Sequence, residues 1–284
     1  MKKRKNIHIF RSNPAKKPIS FPKNRFEVFF DLFFHRFGTL LLISLLTSVF
    51  FLPLFVLHSY AFSLTMIDSS TEEAVRYIYN VRFWEYILNI PAIMIASLGV
   101  AASVHVIRKL AHAEMVFIGH DFKNGMRRNW HIGLWNGFVL GISSALLLCG
   151  LEYAKADSFF LTAIINGASV LQFVVVSIAS LYNYAGCDTY DLSFGKLILN
   201  SLLFLVKELP INIAYLLLMV APLSVCFFFS NLYVWLIGFL IVALIGISYS
   251  LLIMTLFVDY SFDKHINKTN YPEIVDKGVW RKGN

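Results

Sequence analysis

The chain has 284 residues, of which 57% are hydrophobic and only 15% charged, and its mean hydropathy is +0.65. Soluble domains carry about a quarter charged residues, so the composition excludes an ordinary soluble fold and makes lipid the main solvent. The net charge of +8 does not point to nucleic acid, because the basic residues sort by loop, as membrane topology requires.

Met1 to Arg25 is a basic tail interrupted by Pro14, Pro18 and Pro22. It lacks apolar periodicity and is expected to be disordered until it meets anionic headgroups. From Phe26 to Phe37, phenylalanines at 26, 29, 30, 33, 34 and 37 share one helical face, with Glu27, Asp31, His35 and Arg36 on the rest. That pattern predicts an amphipathic helix lying in the membrane plane, or a straight extension of the first span. Span one is Gly38–Leu57, with Pro53 near its far end. It begins far from Met1 and has no small-residue cleavage site after it, so a cleaved signal peptide is not expected.

His58–Phe83 is expected to be the longest external loop. It holds a possible capping box at Ser70-Thr71-Glu72-Glu73 and an aromatic belt that includes Tyr77, Tyr79, Phe83 and Trp84. The same aromatics could stack on sugars. Span two, Tyr86–Val106, opens on Pro91 and is rich in Ala, Ser and Gly, which lets another backbone approach closely. A basic connector runs from Ile107 to Trp130. Span three, Ile132–Leu151, places Gly133, Gly137, Gly141 and Ala145 at four-residue intervals, one ridge of small residues suited to helix packing. Whether its partner lies in this chain or another is open at this point.

Span four, Phe159–Leu181, carries Asn166 and Gln172 as isolated amides, and an internal loop from Tyr182 to Lys196 follows. Such amides bond to neighbouring helices or line a solute path. Leu197–Val206 reads as an interfacial helix ended by Lys207-Glu208-Leu209-Pro210, after which span five, Ile211–Phe229, contains Asn212. Lys207 and Glu208 either form a buried functional pair or snorkel to the interface. Ser230-Asn231 makes a tight turn into span six, Leu232–Val258.

With six spans, 22 of the 25 Lys and Arg residues fall on one side, and only Arg76, Arg82 and Lys155 on the other. The expected fold is therefore an all-α membrane protein with six transmembrane helices and both termini cytoplasmic. Residues 1–25 form the tail, 26–265 the membrane domain and 266–284 a polar cytoplasmic tail. No Walker A loop, GxSxG, HExxH or paired CxxC occurs, so neither an enzyme nor a cofactor is expected. Cys149, Cys187 and Cys226 have neither zinc nor redox spacing. His105, His112 and His120 lie near Glu114 and Asp121, but their spacing and the membrane edge argue against a metal site.

Several segments resemble the YesL-like family of bacterial integral membrane proteins, whose function is unknown. They are Asn89-Ile90-Pro91 with the span after it, Arg108-Lys109-Leu110, Asp121-Phe122-Lys123, Arg127-Arg128-Asn129-Trp130 and Leu256-Phe257-Val258-Asp259-Tyr260, within residues 27–265. The resemblance implies a six-helix protein, often encoded beside carbohydrate-uptake ABC transporters, with no catalytic residues to carry over. The connector lacks the EAA-type arrangement of a standard permease. The expectation is an accessory subunit that packs against an ABC permease through span three. The alternative is a stand-alone transporter or channel for a small solute, using Asn166, Gln172 and Asn212. Anionic lipid headgroups are the other expected partner.

Overall fold

Each apolar run becomes a helix, and most helices outrun their apolar part. The computed structural model describes residues 22–64, 71–153, 158–224 and 232–279. The expectations placed on the tail before residue 22, on Ser70, on Ser230-Asn231 and on Cys226 fall outside that range. Among the described residues there is no strand, and the helices are α1 (Arg25–His35), α2 (Phe37–Leu64), α3 (Glu72–Ala111), α4 (Ile118–Tyr153), α5 (Phe159–Thr189), α6 (Phe194–Lys207), α7 (Leu209–Ser224), α8 (Leu232–Ile241) and α9 (Ile247–Phe262). Among the described residues five helices are long and apolar enough to cross a membrane, α8 and α9 together forming one of them, and the bent pair α6–α7 supplies a sixth apolar segment. The all-helical membrane fold is as expected.

The element boundaries differ from the hydropathy reading. α3 has 40 residues, roughly 60 Å at 1.5 Å per residue, about twice the hydrocarbon thickness. The expected outer loop His58–Phe83 is therefore largely helix, because α2 continues to Leu64 and α3 already starts at Glu72. Thr71 caps that start by accepting the Ala74 N–H at 3.2 Å. The expected connector is likewise mostly helical. Only His112–Phe117 is non-helical there, and Ala113 turns the chain with φ +57°. Apolar windows report the part of a helix that faces lipid; backbone hydrogen bonding carries the helix on until a cap stops it.

α1 is a separate amphipathic helix. A side-chain cap starts it: Asn24 accepts the Glu27 N–H at 2.8 Å, and Glu27 reaches back to accept the N–H of Lys23, just before the cap, at 2.7 Å. A break at Arg36 divides it from α2, so it does not extend span one. Val28 and Leu32 are buried, and Phe29 and Phe33 pack on Tyr249 of α9.

α3 is the central helix, packed against α2, α4, α5 and α9. The α3–α4 seam is the glycine ridge. A Cβ at Gly137 would lie 2.6 Å from the Met94 Cα, and one at Gly141 2.8 Å from the Ile90 Cα. Gly133 faces Ser97 and Ala101, and the Ser97 hydroxyl donates to the Gly133 carbonyl at 2.6 Å. Gly133, Gly137 and Gly141 thus pack on α3, and Ala145 is half-buried at the end of the row. The expectation that this ridge docks an ABC permease does not hold: α3 of the same chain already fills it.

α6 and α7 meet at a bend of 98°, which agrees with a separate helix before span five. Asn212 stabilises the bend by donating to the carbonyls of Phe204 and Leu205, both at 3.2 Å. Both lie in the last turn of α6, where carbonyls run short of intrahelical donors; Phe204 also accepts the Glu208 N–H at 3.1 Å. Past α9 a widened, π-type turn spans Asp263–Asn267. The chain then folds back: the Arg25 guanidinium donates to the Lys277 carbonyl at 2.8 Å, and the Lys277 ammonium to Glu114 at 3.2 Å. Both ends of the described chain thus lie together, at the end of the bundle that carries the basic connector.

Candidate functional site

His105, Arg108, Lys109 and His112 fall at i, i+3, i+4 and i+7 near the end of α3, so they form one polar face beyond its apolar length. Three helices bring carboxylates to that face. Asp188 comes from the last turn of α5, Asp259 from α9 and Asp121 from the first turn of α4. His105 Nδ1 lies 2.7 Å from Asp188 Oδ1, and Arg108 Nη1 lies 3.4 Å from Asp188 Oδ2. Arg108 Nε stands 3.6 Å from Asp259 Oδ1, and His112 Nε2 is 2.9 Å from Asp259 Oδ2. A carboxylate only accepts, so each facing imidazole nitrogen carries its proton.

The network continues to both sides. Asn129 donates to Asp188 at 3.1 Å. Arg25 donates to Asp263 at 2.8 Å, and Asp263 also accepts from Asn267 at 2.7 Å. Lys109 donates to Asp121 at 2.8 Å, and Asp121 accepts the Phe117 N–H at 2.7 Å, tying α3 to α4 across the turn. Asp121, Asp188, Asp259 and Asp263 are all buried. A buried carboxylate is tolerated only when paired and hydrogen-bonded, and each of these is.

Beside this network lies a cavity of about 420 Å³, within the roughly 300–1,000 Å³ typical of small-molecule sites. Arg108, Lys109, Arg128 and Lys277 supply four fixed cations to its wall, against the carboxylates of Glu114, Asp121 and Asp188. Arg128 is the least committed cation: it is half exposed, and its nearest acid is Asp191 at 4.0 Å, itself fully exposed.

Glu208, at the α6–α7 bend, is only 3% exposed. It accepts from the Ser261 hydroxyl at 2.5 Å, Lys264 at 3.0 Å and His265 at 2.8 Å. Lys207 is exposed. The two are therefore not a buried pair, nor do both snorkel outward: the helix turn between them sends one out and the other in. Asn212 accepts the Tyr182 hydroxyl at 2.8 Å. Gln172 pairs with Ser143 across α4 and α5, accepting its hydroxyl and donating to its carbonyl, both at 2.8 Å. Asn166 has a buried amide oxygen with no partner. None of these three amides bonds to another, and none lines this cavity. The three histidines also part: His105 and His112 take different carboxylates, and His120 contacts Asn124. No cluster of three metal-ligating side chains occurs among the described residues.

Sequence reasoning missed Asp188 and Asp259 as site residues, placing the first in a loop and reading the second only as a closing motif. Carboxylates at the ends of otherwise uncharged apolar helices were the available signal. Comparison of the chain with protein-family models, with curated proteins and with solved structures finds no match to any of them.

Proposed function

We propose that this multi-pass protein binds a small phosphate- or carboxylate-bearing solute in the polar cavity at the basic end of its bundle. The observation that carries the reading is the convergence of Arg108, Lys109, Arg128 and Lys277 on one cavity of ligand size. Arg128 offers a guanidinium fork whose one ion-pair partner among the described residues, Asp191, stands 4.0 Å away and is fully exposed; such a fork suits these anions. The distribution of 22 of the 25 Lys and Arg residues supports placing this end, and both termini, in the cytoplasm of a cell.

The test is calorimetric titration of the full-length protein in detergent, at low salt, with inorganic phosphate, a hexose phosphate and a dicarboxylate. At least one should bind, and Arg128→Ala should weaken it tenfold or more without moving the melting temperature. Binding by none, or equal binding by the variant, rejects the reading.

One observation favours a second reading, the accessory subunit. None of the most apolar stretch of α5 is buried, against 56% of that of α3. A Cβ at Gly167 would meet nothing within 4 Å. This face of α5, rather than the filled glycine ridge, is where a membrane partner would pack. The partner class, a carbohydrate-uptake permease, comes from the YesL-like resemblance. Gly167→Leu should reduce permease co-purification while leaving insertion intact; retention of the same partners at the same yield counts against it.

A further inference from the structure

A second cavity, of about 550 Å³, lies on the side of the bundle between α1, α7 and α9. We propose that it holds one anionic phospholipid, with an acyl chain in the groove and the phosphate at Lys23 and Arg25. The walls are apolar along their length: Phe26, Phe29 and Phe30 from α1 face Leu218, Ile253 and Leu256 from α7 and α9. Among the described lining residues the cations are Lys23 and Arg25, at the start of α1. That distribution matches an amphipathic occupant, with a long apolar part and one anionic head, better than a compact solute.

Two donors are available to the head. The Lys23 side chain is exposed, and its ammonium has no partner among the described residues. Arg25 donates through its two terminal nitrogens to Lys277 and Asp263, but its Nε is buried and donates to nothing. Among the described residues Asp276 is the one acid on the wall, against two cations. The chain before Lys23 adds seven more Lys and Arg residues, which raises the local concentration of anionic lipid. Phe26 and Phe30 are themselves exposed, so the groove wall continues into the surface that meets lipid. A bilayer lipid therefore has a lateral route into the groove.

The experiment is native mass spectrometry of the full-length, delipidated protein titrated with phosphatidylglycerol and, separately, phosphatidylcholine. One phosphatidylglycerol should bind at least tenfold more tightly than phosphatidylcholine. Lys23→Glu should remove that preference. Leu218→Trp, at a half-exposed wall position, should fill the groove and abolish the tight adduct while the melting temperature stays unchanged. Glycerol phosphate at millimolar concentration should not compete. Equal binding of the two lipids, or wild-type binding by both variants, overturns the proposal. Full competition by glycerol phosphate also overturns it, since the site then recognises a phosphate rather than a lipid. Arg128→Ala should leave the adduct intact, so this result is independent of the solute cavity.

Discussion

Asp188→Ala is expected to destabilise the protein by about 3–5 kcal/mol, the usual cost of breaking a buried ion pair from one side. Asp188 is the carboxylate shared by His105, Arg108 and Asn129. Its removal leaves the Arg108 guanidinium with Asp259 alone, at 3.6 Å, and leaves the His105 and Asn129 donors without their acceptor. The last turn of α5 is then no longer held to α3 and α4. Asp188→Asn should cost less, because the amide keeps one acceptor in place. Asp191→Ala, three residues away and fully exposed, should change stability by less than about 0.5 kcal/mol. Thermal unfolding of the three variants in one detergent decides the matter. If Asp188→Ala melts with Asp191→Ala, the network does not hold the bundle's basic end together.

The same network shows what local sequence pattern can and cannot reveal. The glycine row at 133, 137 and 141 was legible because helical spacing and residue size both sit in a short window. Its partner was not, because any backbone with small residues could fill the groove, and α3 does. The break before span five was legible from Lys207-Glu208-Leu209-Pro210, since charge and proline interrupt an apolar run. The inward turn of Glu208 depends on Ser261, Lys264 and His265, more than fifty residues later, and no local periodicity encodes that meeting. Arg108 and Lys109 signalled topology through their charge, yet their side chains also turn inward to Asp188 and Asp121. A positive connector therefore marks a side of the membrane without excluding a buried role. Asp188 was hidden for a simpler reason: α5 continues two turns past its apolar stretch, so a carboxylate that reads as loop lies on a helix.

Gly137→Leu is the second large effect expected. In the folded protein the backbone of α4 lies against that of α3 at this point. An added Cβ would stand 2.6 Å from the Met94 Cα, 2.7 Å from the Ser97 Cβ and 3.0 Å from the Ile93 carbonyl. Two of those three atoms are backbone, so no rotamer change relieves the clash, and the helices must separate. Gly137→Ala should already cost about 1–3 kcal/mol, the range for overpacking a filled core, and leucine more. Separation also stretches the Ser97–Gly133 hydrogen bond of 2.6 Å and disturbs the contact of Ser97 with Tyr184. Gly167→Ala is the control, since nothing lies within 4 Å of its Cβ position. There the loss of glycine's unfolded-state freedom should leave stability unchanged or raise it by about 0.5–1 kcal/mol. Melting temperatures of the purified variants test both. Gly137→Ala at or above the wild-type value would mean that the α3–α4 seam has slack, and that the glycine ridge is free to seek another partner after all.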